Sequence, residues 1–254
     1  MTSPYDSVRY RSLDGAGVLV TGGASGIGAD LVRAFASQGA QVRFLDIDEN
    51  AGAALAASVP GSSFRHCDLR DIAALRDAVA ATERAFAIDV LVNNAARDDR
   101  HDMFDVEPQG WRDTLAVNLD HQFFATQAVA RAMRERKRGS IVLTGSISWM
   151  RGRPGLVGYT TAKAAINGMN KTLARELGEH GIRVNCIVPG AVVTARQEAL
   201  WRSPEIDAEI MRLQALKVSL DATHVARMAL FLGSDESGGC TGANFVVDAG
   251  LTQN

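Results

Sequence analysis

Short runs of β-branched and apolar residues alternate along the chain with longer stretches in which apolar positions recur every three or four residues. The runs GVLV (17–20), QVRFLD (41–46), SSFRHC (62–67), DVLVNN (89–94), SIVLTG (140–145), IRVNCIV (182–188) and NFVVD (244–248) predict strands. The longer stretches predict helices over 26–38, 50–58, 71–86, 111–137, 157–179 and 221–233. Such alternation builds a mostly parallel sheet, because each parallel crossover needs a connection long enough to hold a helix, and the helices then cover both faces. Residues 1–254 read as one doubly wound α/β domain, with no Pro/Gly/Ser-rich linker, repeat or low-complexity tract to divide them. The one long interruption, about 191–220, is rich in charged and helix-forming residues and reads as a substrate-loop insertion.

Charge and cysteine usage narrow the partners. A formal net charge of −2 supplies no basic field for nucleic acid or an anionic membrane. The densest basic run, RAMRERKRGS (131–140), ends a predicted helix just before Gly139. Cations suit the negative end of the helix dipole there, and glycine suits the position just past a helix. Cys67, Cys186 and Cys240 are far apart and form no C-x-x-C pair, so neither a disulfide framework nor a cysteine zinc site is expected. The polar start MTSPYDSVRYRSLDG lacks the apolar core of a signal peptide, and no apolar run reaches the ~18–20 residues that span a bilayer. A cytoplasmic setting is the expectation.

The first predicted strand runs into TGGASGIG (21–28) and then a helix. Its glycines at 22, 26 and 28 let backbone approach a pyrophosphate, while the N–H groups and dipole of the following helix favour negative charge. A P-loop is disfavoured because no Gly-Lys-Ser/Thr follows. Eighteen residues past Gly28, Asp46 closes the second strand, where a carboxylate accepts hydrogen bonds from both adenosine ribose hydroxyls and repels a 2′-phosphate. Ser25 supports the same preference for NAD over NADP, since the loop holds no arginine or lysine. Asp48 and Asn50 are better placed than Asp46 for a helix cap.

Ligands of an open α/β sheet bind beyond the carboxyl ends of its strands. Those ends carry Asp68, Asn94, Ser146 and Pro189-Gly190, with Asn118 inside one helix and Tyr159 and Lys163 at the start of another. Four positions apart, Tyr159 and Lys163 share a helix face, at the edge of an apolar stripe formed by Ala162, Ile166, Met169, Leu173 and Leu177. A free tyrosine ionises near pH ~10, too high for a base at neutral pH, and an adjacent lysine cation together with a positive nicotinamide ring would favour the phenolate.

These motifs, TGGASGIG, CDL (67–69), NNA (93–95), VNL (117–119), Ser146 thirteen residues before Tyr159, YTTAK (159–163), PGAVVT (189–194) and TGANFVVDAG, occur in order from about Asp14 to Gly250. The chain thereby resembles the short-chain dehydrogenase/reductase family. The resemblance implies a single NAD-binding Rossmann domain with a seven-stranded sheet, Tyr159 as catalytic base, Lys163 as its electrostatic partner, Ser146 as donor to the substrate oxygen and Asn118 as a relay. For NAD it implies Gly22, Ser25, Gly26, Ile27 and Gly28 at the glycine turn, and Asp46, Ile47, Asp68 and Leu69 after the second and third strands. Asn94, Ala95 and Ala96 follow the fourth strand, Pro189, Gly190, Val192 and Thr194 follow the sixth, and Tyr159 and Lys163 reach the nicotinamide end. Two departures stand out: Ala96 where glycine is usual after NNA, and VDAG in place of VDGG.

Further segments, NNAARDDRHDM (93–103), VNLDHQFFATQAVA (117–130), GSISWM (145–150) and VPGAVVTARQEALW (188–201), resemble the aldose 1-dehydrogenases of that family, of the D-xylose type. They imply a sugar substrate met by Asp99, His101, Ser146, Ser148, Trp149, Tyr159 and Gln197. A sugar needs several polar partners, and Trp149 offers an apolar face to its C–H surface. The alternatives are another alcohol or ketone, such as a sugar-acid intermediate or an oxoacyl thioester, and a non-enzymatic NAD-binding sensor or scaffold. No metal is expected, because neighbouring loop residues seldom converge on one ion and hydride transfer to NAD needs none. A homotetramer packed through helices 111–137 and 157–179 is what the resemblance implies.

Overall fold

The computed structural model describes residues 4, 5 and 7–252. Its strands are β1 (Gly17–Thr21), β2 (Gln41–Asp46), β3 (Ser62–His66), β4 (Val90–Asn93), β5 (Gly139–Thr144), β6 (Ile182–Pro189) and β7 (Asn244–Val247). They form one sheet in the order β3-β2-β1-β4-β5-β6-β7. Every pairing is parallel, so the expected mostly parallel sheet is wholly so. Strands β1, β4 and β5 are buried along their whole length, which is why they read as continuous apolar runs.

Successive side chains on a strand point to opposite faces, and two cores result. Val18, Val20, Val42, Phe44, Val90, Val92 and Val142 face one of them, together with α1 (Gly26–Ser37), α2 (Glu49–Ser58) and α10 (Ala222–Gly233). Leu19, Leu45, Leu91, Ile141 and Leu143 face the other, with α3 (Ile72–Ala85), α5 (His121–Arg136) and α7 (Val157–Gly178). Strand order reverses between β1 and β4, opening a crevice at their carboxyl ends.

Three local expectations change. The helix expected over 111–137 begins at Pro108, a residue suited to a first helical position, as α4 (Pro108–Leu115). It passes through a π-helical turn (Ala116–Asp120) before continuing as α5. Its end is not capped by glycine: Lys137 takes the left-handed conformation at φ 53°, and Gly139 instead starts β5, where a Cβ would strike Met133. The 191–220 region is largely helical, with α8 (Ala195–Leu200) capped by Thr194 and α9 (Pro204–Leu213) capped by Ser203. Between β5 and α7 lies the single turn α6 (Ser148–Arg151). Among the described residues no helix is long and apolar enough to cross a membrane, and no cluster of His, Cys, Asp or Glu is placed to hold a metal ion.

The VDAG departure has a conformational cost. Ala249 sits at φ 54°, a region that penalises a side-chain-bearing residue by about 1–2 kcal/mol. Replacing Ala249 by glycine is therefore expected to raise stability by up to about 1 kcal/mol once the greater freedom of unfolded glycine is offset. Urea unfolding checks this, and a lowered midpoint refutes it.

Candidate active site

At the crevice the chain leaves β1 through Gly22, whose φ is +65° and whose amide donates to the Leu45 carbonyl at 2.7 Å. A Cβ on Gly22 would lie 2.6 Å from Ala95 Cα, and one on Gly28 would overlap the Gly22 carbonyl. Glycine is required at both positions by close backbone approach. Asn94 donates through Nδ2 to the carbonyls of Thr21 (3.2 Å) and Gly22 (2.9 Å), so its carboxamide clamps the turn. Asp46 Oδ2 accepts from the Ala24 amide at 2.9 Å and Oδ1 from the Asp48 amide at 3.0 Å. Asp48, as its position suggested, caps α2 by accepting from Ala51.

A cavity of ≈ 830 Å³ runs from this turn across the sheet crest. Gly22, Ser25, Gly26, Ile27 and Gly28 line it, as do Asp46, Ile47, Asp68 and Leu69. So do Asn94, Ala95, Ala96, Pro189, Gly190, Val192 and Thr194, and Tyr159 and Lys163 line the same cavity. Ala96 is exposed, so its methyl meets no packing conflict. Asp68 is held by the Arg70 guanidinium at 2.6 Å, which keeps its carboxyl below the usual range.

At the other end of the cavity Tyr159 and Ser146 line the same wall, and the Ser146 Oγ accepts from the Ser148 amide at 3.1 Å. Lys163 Nζ lies 5.6 Å from the Tyr159 ring centroid and donates to the Thr144 carbonyl at 2.8 Å. Only 1% of Lys163 is exposed, and burial pulls its ammonium down to about 8. Burial likewise pushes the Tyr159 phenol up to about 12; Ser146 opposes this and the Asp98 carboxylate adds to it. Desolvation of the phenol is the effect that the lysine cation and a positive nicotinamide ring together have to offset if the phenolate is to be favoured. Beneath the pair, burial and the Lys163 charge push fully buried His121 down to about 3, so it stays neutral.

Asn118 lies in the π turn, fully buried. Its Nδ2 donates to the Arg97 and Thr114 carbonyls, each at 3.0 Å, and its Oδ1 accepts from the Arg97 amide at 3.0 Å. With its carboxamide so engaged, it fixes the loop after β4 to the helix. π turns recur at functional sites, and this one adds a residue without breaking the apolar period that the sequence displays.

The residues assigned to substrate divide. Asp99, Ser148 and Gln197 line the cavity; His101 and Trp149 do not. His101 turns its Nδ1 towards the Asp99 carbonyl at 3.3 Å while its amide donates to Gly155, and Trp149 sits 36% exposed on α6. Asp99 is engaged by Arg97 and Arg196, each at 2.9 Å. Gln197 Nε2 donates to Asp98 at 2.8 Å, so the loop after β4 is clasped to α8. Local sequence reading missed this clasp because its halves lie about a hundred residues apart.

A strand, glycine turn and helix at the point where strand order reverses, with a phenol and an ammonium facing the same cavity, define a dehydrogenase or reductase that uses NAD or NADP. The chain belongs to the short-chain dehydrogenase/reductase family: a family profile described as enoyl-(acyl carrier protein) reductase matches residues 22–252. It is 47% identical over 248 residues to D-xylose 1-dehydrogenase of Caulobacter vibrioides, covering 96% of this chain and 98% of that one. It is 44% identical over 257 residues to a probable galactose dehydrogenase of Rhizobium meliloti, covering 99% and 100%. Among solved structures, a 3-oxoacyl-[acyl-carrier protein] reductase with bound NAD from Brucella melitensis superposes with a TM-score of 0.88 at 31% identity, covering 99% and 97%.

Proposed function

We propose that this chain, acting as one domain, oxidises C1 of an aldose with NAD and releases an aldonolactone. The observation that carries the reading is the meeting of Ser146, Tyr159 and Lys163, with Lys163 Nζ 5.6 Å from the Tyr159 ring centroid, in the cavity that begins at the Gly22–Gly28 turn. NAD bound there supplies a two-electron acceptor for the C1 hydride. The glycine turn and the start of α1 would hold its pyrophosphate, and Asp46 its adenosine ribose.

Ser146 donates to the C1 oxygen and so orients the hydroxyl, whose proton passes to Tyr159. Lys163 holds positive charge beneath the phenol, and Asn118 acts as a positioning residue through its hold on Arg97. The buried Ser148 hydroxyl has no hydrogen-bond partner among the described residues and lines the cavity, which suits a sugar hydroxyl. The two relatives named for sugar oxidation support an aldose rather than an oxoacyl thioester. The family resemblance supports a homotetramer packed through α4, α5 and α7, which light scattering measures directly.

Pentoses, hexoses and 6-deoxyhexoses offered with NAD, with NADH absorbance followed, test the reading. NADH formation from at least one aldose is expected, and turnover of non-sugar alcohols alone overturns it. NAD is expected to outperform NADP, and Asp46→Asn, which keeps an oxygen for the Ala24 amide, is expected to narrow the kcat/KM ratio tenfold or more. A charged hydrogen bond worth about 1.5–3 kcal/mol sets that scale. An unchanged ratio removes Asp46 from cofactor choice.

A further inference from the structure

Six arginines line the cavity around its substrate end: Arg97, Arg100, Arg151, Arg153, Arg196 and Arg202. Three of them have carboxylate partners within the chain. Arg97 and Arg196 each meet Asp99 at 2.9 Å, and Arg202 meets Asp207 at 2.7 Å. Arg100 stacks its guanidinium over the Trp201 ring at 4.2 Å, an arrangement that leaves the N–H edges free to donate. The Arg151 amide donates to the Ile147 carbonyl at 3.1 Å, but the guanidinium groups of Arg151 and Arg153 form neither a hydrogen bond nor an ion pair with another described residue.

Arg153 is half-buried at the cavity wall. Burial and the positive charges of Arg100 and Arg151 all disfavour its charged form, and only Asp98 opposes them. Arg153 stands between α6 and Tyr159, on a segment that the His101 amide ties to the loop after β4 by donating to the Gly155 carbonyl at 3.0 Å, which places it at the phenol's end of the cavity and away from the glycine turn. A guanidinium in these surroundings, crowded by like charge and shielded from water, gains most from an arriving anion. The pyrophosphate does not serve, because the glycine turn that receives it lies at the opposite end.

We propose that the substrate is an aldose bearing an anionic group remote from C1, a carboxylate or a phosphate, which Arg153 binds with Arg100 and Arg151. The inference rests on the aldose reading and sharpens it. Oxidation still occurs at C1: the C1–H electron pair leaves as hydride to NAD, the hydroxyl proton goes to Tyr159, and the C1=O bond forms. The remote anion passes through unchanged, so a hexuronic acid yields the lactone of a dicarboxylic sugar acid.

The test compares kcat/KM with NAD for D-glucuronate, D-galacturonate and D-glucose 6-phosphate against D-glucose, D-galactose and D-xylose, at low and high ionic strength. The best anionic aldose is expected to exceed its neutral counterpart by about tenfold or more, the scale of a charged hydrogen bond. Its KM is expected to rise with salt while that of the neutral sugar holds steady. Whether a uronate or the phosphate ester leads identifies the anion. Arg153→Gln is expected to collapse the anionic-to-neutral ratio by about tenfold or more, and Arg153→Lys to restore part of it. If a variant fails to fold, the salt dependence of the unmodified enzyme decides. Oxidation of neutral aldoses with no anionic advantage, or an unchanged ratio in a folded Arg153→Gln, overturns this inference and leaves the aldose reading standing. Oxidation of no aldose of either kind overturns both.

Discussion

Replacing Tyr159 by phenylalanine is expected to lower kcat by about 10²–10⁴-fold, the range over which positioned general acids and bases act. The ring remains to pack over Lys163, and what disappears is the oxygen that takes the C1 proton. Affinity for NADH, read by fluorescence titration, is expected to change little, because the glycine turn, Asp46 and the Pro189–Gly190 corner are untouched. The unmodified enzyme should also show a rate of sugar oxidation that climbs from neutral towards alkaline pH. Burial pushes the phenol up to about 12, so each rise in pH increases the fraction able to accept a proton. Turnover in Tyr159→Phe equal to that of the parent removes the residue from the chemistry, and a flat pH profile argues that proton transfer does not limit the rate.

What could be read from the sequence, and what could not, follows from the range of each interaction. Val18, Leu19 and Val20 announce β1 because a strand buried on both faces carries an unbroken apolar run through its middle, and Val90–Val92 in β4 and Ile141–Leu143 in β5 do the same. The glycine turn was legible because strand, glycines and helix are contiguous. The π turn at Asn118 was hidden, since one inserted residue leaves the apolar positions of residues 111–137 near helical spacing. The left-handed Lys137 was hidden as well: the glycine lies two residues further on, and its lack of a side chain serves packing against Met133. The arginines around the substrate end come from the loop after β4, from the stretch around α6, and from α8 and the link that follows it. No window of sequence holds all three. His101 and Trp149 stand beside Asp99 and Ser148 in the sequence, yet neither lines the cavity.

Lys163→Met is expected to separate stability from activity, raising the first while lowering the second. Nearly complete burial draws the ammonium from the ordinary 10.5 to about 8, a shift that corresponds to a destabilisation of about 3 kcal/mol for holding the charge inside at neutral pH. A methionine of similar length fills the same space without that penalty. The Thr144 carbonyl, which loses the Lys163 donor, still accepts from Gln122 Nε2 at 3.2 Å, so no acceptor is orphaned. Because the folded-state value lies below the unfolded one, the unfolded chain binds more protons between about 8 and 10.5. The penalty is therefore complete below that window and fades as pH rises through it, and so must the advantage of the variant. Calorimetry at neutral pH should show a melting temperature higher by several degrees, at ~2–4 °C per kcal/mol for a domain approaching this size, with convergence towards the parent in alkaline buffer. Turnover should fall by about 10²–10³-fold, as when one preorganised electrostatic partner is removed from a reacting centre. A variant that loses stability and turnover together would mean that Lys163 holds the fold, whereas the opposed changes expected here identify it as a charge retained for chemistry at the expense of the core.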